Sequence, residues 1–324
     1  MSLRLGLIGA GRWGKRYIQT LNSLSEARLT CLCTRHPENA ALSRHPVEVV
    51  ADWRALCQPG KVDGVILATP PATHGEILRA CLGARLPAMV EKPLCLSLSE
   101  ALQLQALTRA SGLPVLVDHT QLFQPAYEEI HARFRRPGSV RFIRSEGEAL
   151  GPFRTDVAVL WDWAPHDVAL CLDLMDGPPH SVACLGGLAS PAGPGVLSLR
   201  LLFADGVEAW INLGPHSTQK RRRLSVFGPD HVLVFDDLAS EKLMQRRLDW
   251  DARYAGSEQR VEAEQAVPVA NDLPLTRAVR DFVLGLQGKL SRHFGLDLAV
   301  NVIRVLTAAE AALRVPASIP VPPR

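Results

Sequence analysis

No apolar run in the 324 residues approaches the ~18 that a membrane-spanning helix needs. Met1-Ser2-Leu3-Arg4 leads directly into an apolar strand, without the basic stretch and cleavage site of a secretory leader. Charge of one sign is equally scarce. The 36 Lys and Arg against 33 Asp and Glu leave +3, too little to point to nucleic acid or a membrane surface as partner. The seven cysteines are odd in number and scattered, which argues against a disulfide framework. Only Cys31 and Cys33 are close, and alternate strand residues face opposite ways, so they make a poor ligand pair; no metal is expected. Reduced thiols in a cytoplasmic protein are the expectation. There is no internal repeat. What remains is 47% hydrophobic and 21% charged, an ordinary globular balance at a length that suits two domains.

Residues 1–118 alternate strand and helix. Strands are expected at Leu3–Ile8, Arg28–Cys33, Gly64–Ala68, Ala88–Val90 and Val115–Val117. Helices are expected at Arg12–Leu24, from His36-Pro37-Glu38, at His74–Leu82 and at Ser99–Ala110. This is α/β text, and it predicts a doubly wound parallel sheet with right-handed crossovers. Residues 119–324 read differently. Helices near Pro125–Arg135 and Asp162–Met175 flank a strand at Val140–Glu146, and from Ser181 to Arg247 strand follows strand. Ala204-Asp205-Gly206 and Gly228-Pro229-Asp230 separate apolar runs and read as hairpin links, which predicts a largely antiparallel sheet in an α+β domain. A helix over Leu296–Leu313 and an extended Pro-rich tail, Val315–Arg324, close the chain.

Gly9-Ala10-Gly11-Arg12-Trp13-Gly14 matches G-x-G-x-x-G, and it leaves a predicted strand to enter a predicted helix. In that setting Gly9 permits the tight turn, Gly11 the approach of a diphosphate, and Gly14 the packing of helix on strand. The end of the second strand usually carries an acid for the adenosine ribose of NAD; here it reads Cys33-Thr34-Arg35-His36. A hydroxyl and a guanidinium suit a 2′-phosphate, which leans the cofactor NAD(P) toward NADP. Arg35 as an adenine cover or a solvated residue is the alternative. Thr69-Pro70-Pro71-Ala72-Thr73-His74 and Glu91-Lys92-Pro93 lie at carboxyl ends of strands, where open parallel sheets bind ligands. Glu-Lys in such a place is also a common solvated ion pair. In Trp161-Asp162-Trp163-Ala164-Pro165-His166-Asp167, Asp162 and His166 share a helical face, while Pro165 suits a first turn that would make Asp162 a cap instead. Lys220-Arg221-Arg222-Arg223 reads as a solvated face or as a contact for a nucleotide diphosphate.

Together, the strand-borne GAGRWG, the run ATPPATH, the EKP tripeptide and the Asp-x-x-x-His element resemble the glucose–fructose oxidoreductase / inositol dehydrogenase (Gfo/Idh/MocA) family over nearly the whole chain. Val117–Phe123, Leu160-Trp161-Asp162, Pro165-His166-Asp167, Lys220–Phe227 and Asp236-Asp237 resemble its members acting on nucleotide sugars. Two departures stand out: Ala164 occupies a position where many relatives have Gly, and Thr34-Arg35 replaces the strand-end acid of NAD-preferring ones. The resemblance implies a Rossmann domain followed by a substrate domain, and an NAD(P)-dependent dehydrogenase acting on a sugar, nucleotide sugar or cyclitol. By the same resemblance Lys92 and His166 are the catalytic lysine and histidine, and Asp162 is a catalytic or orienting carboxylate. Gly9, Gly11, Arg12, Trp13, Gly14, Thr34, Arg35, Thr69, Pro70, His74, Glu91 and Lys92 are expected to bind the cofactor. A non-catalytic dinucleotide sensor and a reductase of an unrelated carbonyl are the competing readings, and a homo-oligomer is expected.

Overall fold

The computed structural model describes residues 2–151, 157–190, 193–248 and 261–314. The Pro-rich tail lies outside them. Two compact units emerge. One comprises Met1–Gln124 with Asp272–Ile303, the other Pro125–Asn271 with Arg304–Arg324. The expected single boundary at 118/119 therefore shifts to 124/125, and a later segment returns to the first unit.

In the first unit β1 (Leu3–Ile8), β2 (Ala27–Cys33), β3 (Glu48–Val50), β4 (Gly64–Leu67), β5 (Ala88–Glu91) and β6 (Val115–Asp118) form a parallel sheet ordered β3-β2-β1-β4-β5-β6. That is the doubly wound Rossmann order, with its switch point beside β1. Residues of β4, β5 and β6 are buried throughout, so these strands read as apolar runs rather than alternations, with β5 and β6 each ending in a buried acid, Glu91 and Asp118. The crossovers include α1 (Arg12–Asn22), α2 (His74–Gly83) and α3 (Leu98–Ser111).

The second unit begins with α4 (Pro125–Arg133), β7 (Phe142–Leu150) and α5 (Val159–Leu174). Seven strands follow: β8 (Ser181–Ser190), β9 (Gly193–Leu202), β10 (Glu208–Gly214), β11 (His216–Phe227), β12 (His231–Asp236), β13 (Leu243–Leu248) and β14 (Val261–Ala266). With β7 they make an eight-stranded sheet, β14-β13-β12-β11-β7-β10-β9-β8. Both expected hairpins form, β9 with β10 and β11 with β12, and Gly206 takes φ +81° in the first link. Among the described strands β7 and β10 pair in parallel and the other neighbours are antiparallel. Helix α5 packs on β7, β9 and β10 and is buried along most of its length.

Four readings change. The helix expected from His36-Pro37-Glu38 is a single 3-10 stretch, Pro37–Leu42, because the chain turns back there to let the buried Asn39 side chain donate to the Ala10 oxygen at 3.0 Å. The three-residue β3 was not anticipated; its side chains are half-exposed or exposed, so it has no apolar pattern to read. Helix α5 begins at Val159 with Ala158 as its cap, so Pro165 sits inside it and Asp162 lies in the first turn. The reading of Asp162 as a cap falls. Lastly, α6 (Pro274–Leu286) was passed over, although Pro274 at its first position and Ala278, Val279, Phe282 and Val283 on one face are the usual signs. Phe282 and Leu286 fill the space over Gly64 of β4, and α7 (Asp297–Ala312) follows close to its expected bounds. Among the described residues no helix is long and apolar enough to cross a membrane.

Candidate active site

Gly9 leaves β1 at φ +97°, and a Cβ there would meet the Ala68 carbonyl oxygen at 2.6 Å. A Cβ on Gly14 would stand 2.1 Å from the Gly9 oxygen. These two glycines are thus fixed by sterics within the protein. Gly11 is different: a Cβ there would meet nothing within 4 Å. Its lack of a side chain leaves open space at the start of α1. That helix has no side-chain cap and no acid in its first turn, so its leading N–H groups and dipole favour an anion. A cavity of about 580 Å³ opens here, lined by Ala10, Gly11, Arg12, Lys15, His36, Glu38 and Asn39. The fit to a dinucleotide diphosphate is good: an open glycine, a bare helix start and two cations.

Thr34 and Arg35 follow directly on β2, whose last residue, Cys33, accepts from the Gly9 N–H at 2.9 Å. Arg35 is exposed, and the Thr34 hydroxyl accepts from the His36 N–H at 3.0 Å. The sequence reading missed Lys15, His36 and Glu38, the last two joined at 3.3 Å. A carboxylate therefore does border the cavity, four residues later than the strand-end position where it was sought. Trp13 is half-buried, with the Arg16 guanidinium 4.8 Å from its ring centroid.

At the ends of β4 and β5 the geometry separates positioning residues from presenting ones. Thr73 donates to the Thr69 hydroxyl at 2.7 Å, tying the loop after β4. His74 is fully buried; its ring nitrogens lie 2.9 Å from the Thr69 oxygen and 3.0 Å from the Pro93 oxygen, and burial lowers its pKa. It holds the two loops together rather than offering a nitrogen to a ligand. Glu91, expected to bind cofactor, is buried as well. Its Oε2 accepts from the Lys92 N–H at 3.1 Å and its Oε1 lies 2.9 Å from the Tyr17 hydroxyl. Tyr17 also reaches Asp118 Oδ2 at 2.5 Å, and Thr120 donates to Asp118 Oδ1 at 3.0 Å. Burial, followed by the Asp118 charge, pushes Glu91 up to about 8; burial pushes Asp118 up to about 6. Lys92, half-buried after β5, is the residue of this group that is open to solvent. Neither Tyr17 nor Asp118 is among the expected site residues, although Asp118 lies in the Val117–Phe123 run that carries the family resemblance.

In the second unit Asp162 and His166 stand one turn apart on α5, Asp162 half-buried and His166 buried. Pro165 between them supplies no amide for the Trp161 carbonyl, which loosens the helix at this turn. Asp167 anchors the segment: its Oδ1 accepts from Ser145 Oγ of β7 at 2.6 Å, and its Oδ2 lies 3.7 Å from Arg222 Nη1 of β11. Arg222 also approaches the Trp163 ring at 5.7 Å. Gly147 makes room for this cluster, since a Cβ there would meet Asp167 Oδ2 at 2.9 Å and Arg222 Nη1 at 3.1 Å. Arg222 is therefore not part of a uniformly solvated face. Arg221 pairs instead with Glu146 at 3.3 Å and Glu148 at 3.5 Å. Among the described residues no group of three or more His, Cys, Asp or Glu could hold a metal ion.

Residues 3–119 match the family model described as "Oxidoreductase family, NAD-binding Rossmann fold". A crystal structure from Magnetospirillum magnetotacticum MS-1, for which only the class oxidoreductase is suggested, is 40% identical, with TM-score 0.85 over 95% of this chain and 100% of that one. The UDP-N-acetylglucosamine 3-dehydrogenase of Acidithiobacillus ferrooxidans is 25% identical over 292 residues, 87% of this chain and 88% of that protein. Inositol 2-dehydrogenase 2 of Paenarthrobacter aurescens is 27% identical over 278 residues, 79% of this chain and 84% of that protein. With its Rossmann sheet, its glycine cradle and these relatives, the chain belongs to the glucose–fructose oxidoreductase / inositol dehydrogenase family of NAD-binding oxidoreductases.

Proposed function

We propose that the chain oxidises a hydroxyl of a sugar, nucleotide sugar or cyclitol, with NADP preferred to NAD as hydride acceptor. The observation that carries this reading is the retention of three reactive side chains in a dinucleotide-binding chain. Lys92 directly follows β5, and Asp162 and His166 lie one turn apart on α5. A sensor has no need of them. The names of the two curated relatives supply the substrate class. When bound, the nicotinamide supplies the hydride acceptor.

The rest of the chemistry falls to the protein. His166 takes the hydroxyl proton, an imidazole being the side chain that titrates near neutral pH. Lys92 hydrogen-bonds the reacting oxygen and stabilises the charge that grows on it. Asp162 orients His166. Gly11 and the start of α1 would hold the diphosphate, with Arg12 and Lys15 lining the same cavity. Thr34 and Arg35 would hold a 2′-phosphate by charge-assisted hydrogen bonds, each worth roughly 1.5–3 kcal/mol.

The substrate claim is tested by incubating the protein with NAD or NADP and a panel of inositols, aldoses and UDP-hexosamines deuterated at the reacting carbons. Deuterium appearing on the nicotinamide ring is the expected result; a bound dinucleotide that no member reduces contradicts the proposal. The cofactor claim is tested by dissociation constants for NAD and NADP in the parent and in Arg35→Ala. The NADP preference should fall about ten-fold or more in the variant. Equal losses for both cofactors would make Arg35 an adenine cover and end the NADP assignment.

A further inference from the structure

The buried cluster behind Lys92 contains more acceptors than its one evident proton can serve. Tyr17 Oη lies 2.9 Å from Glu91 Oε1 and 2.5 Å from Asp118 Oδ2, but a phenol has a single hydrogen. The other carboxylate oxygens are already engaged, Glu91 Oε2 by the Lys92 N–H and Asp118 Oδ1 by the Thr120 hydroxyl. With both acids ionised, one of the two contacts to Tyr17 would set lone pair against lone pair. Two buried anions would also face each other through one hydroxyl, an arrangement whose desolvation costs several kcal/mol per ion. A second proton resolves the count. Tyr17 donates to Asp118 across the shorter contact, and a protonated Glu91 donates to the Tyr17 oxygen.

We propose that Glu91 stands as a neutral acid in a Tyr17–Asp118 proton-sharing network, and that this network sets the charge beside Lys92. Glu91 and its partners act through Lys92, so they are positioning residues. With Glu91 neutral the network carries one negative charge against the lysine's one positive charge. Loss of the Glu91 proton adds a second anion next to Lys92, which competes with the substrate oxygen for the ammonium. The titratable groups bearing on Glu91 are Tyr17 from α1, Asp118 from β6 and Lys92 itself. Its other strand neighbour, β4, contributes Gly64–Leu67 and no ionisable side chain, and α2 brings His74 against Pro93. Burial and the Asp118 charge favour the neutral form of Glu91, while the Lys92 charge opposes it.

The coupling to Lys92 rests on the proposed catalytic role of that lysine, whereas the protonation state does not, and two readouts separate them. Infrared titration of the full-length protein should give a protonated-carboxyl band at pH 7 that fades on the alkaline side and is absent from Glu91→Gln. In turnover, the parent rate should fall along an alkaline limb. Asp118→Asn removes the like charge and keeps one acceptor oxygen for Tyr17, with its amide group turned to the Thr120 hydroxyl, so it should move both the limb and the infrared transition to lower pH by about one unit or more. If Glu91→Gln does not fold, the shift in Asp118→Asn carries the test alone. The proposal is overturned if the parent has no such band at pH 7, if the band survives in Glu91→Gln, or if Asp118→Asn moves neither transition. A normal band in a protein that oxidises no sugar would sink the functional reading and leave the network standing.

Discussion

The first unit shapes its glycine cradle with backbone, and the second holds the helical turn bearing Asp162 and His166 with side chains. In the first, Gly9 and Gly14 are small because a Cβ would strike the Ala68 or Gly9 oxygen, and Gly11 is small although nothing stands near it. In the second, α5 is secured by Asp167, which takes Ser145 from β7 and faces Arg222 from β11, residues 22 positions before it in the chain and 55 after it. A backbone device needs a fixed local spacing and tolerates few residue types. A side-chain device needs only that distant segments arrive in register, and many residue sets can meet that need.

This difference explains what was legible. The tight turn at Gly9, the parallel pairing of the first sheet and the hairpins of the second follow from local patterns, and so they are legible in the sequence. The Tyr17–Glu91–Asp118 network and the Ser145–Asp167–Arg222 cluster depend on strand register, which no local pattern encodes. Glu91 and His74 were read as ligand contacts because they lie in the right loops; burial turns them inward instead. Helix α6 is a separate case, since its signals, Pro274 at its start and one apolar face, are local.

The comparison can be broken first at Gly14. Gly14→Ala forces helix and strand apart, and overpacking of this kind costs about 1–3 kcal/mol or more. Urea unfolding should give a midpoint well below that of the parent, with dinucleotide binding lost; an unchanged midpoint would mean that the close approach is not needed.

Ser145→Ala should come next. It removes a hydrogen bond to a buried carboxylate, worth roughly 1.5–3 kcal/mol, and should lower stability in the same assay without weakening dinucleotide binding. Weaker dinucleotide binding with unchanged stability would erase the contrast between the units.

Gly11→Ala sharpens the contrast from the other side. Its Cβ enters open space, so stability should hold to within about 0.5 kcal/mol. The dinucleotide dissociation constant should rise, as measured by fluorescence titration. Equal binding in parent and variant would mean that the diphosphate does not approach Gly11.

A further contrast is one of pH dependence. Glu91 and Asp118 have folded pKa values raised to about 8 and about 6, so between their ordinary range and those values the native state holds more protons than the unfolded one. Their contribution to stability is therefore greatest at acid pH and is lost as pH rises toward 8. Melting temperature followed from pH 5 to 8 should decline less steeply in Asp118→Asn than in the parent; identical slopes would contradict the assignment.

The central claim is that this is a dehydrogenase whose Lys92 acts on the reacting oxygen. Its most direct test is nicotinamide reduction by the substrate panel in the parent and Lys92→Ala, with dinucleotide affinity measured alongside. The account predicts reduction by at least one sugar, nucleotide sugar or cyclitol in the parent. It also predicts a loss of about 10²-fold or more in Lys92→Ala at nearly unchanged dinucleotide affinity. Near-parental turnover in Lys92→Ala, or a parent that binds dinucleotide and reduces it with no member of the panel, would contradict it.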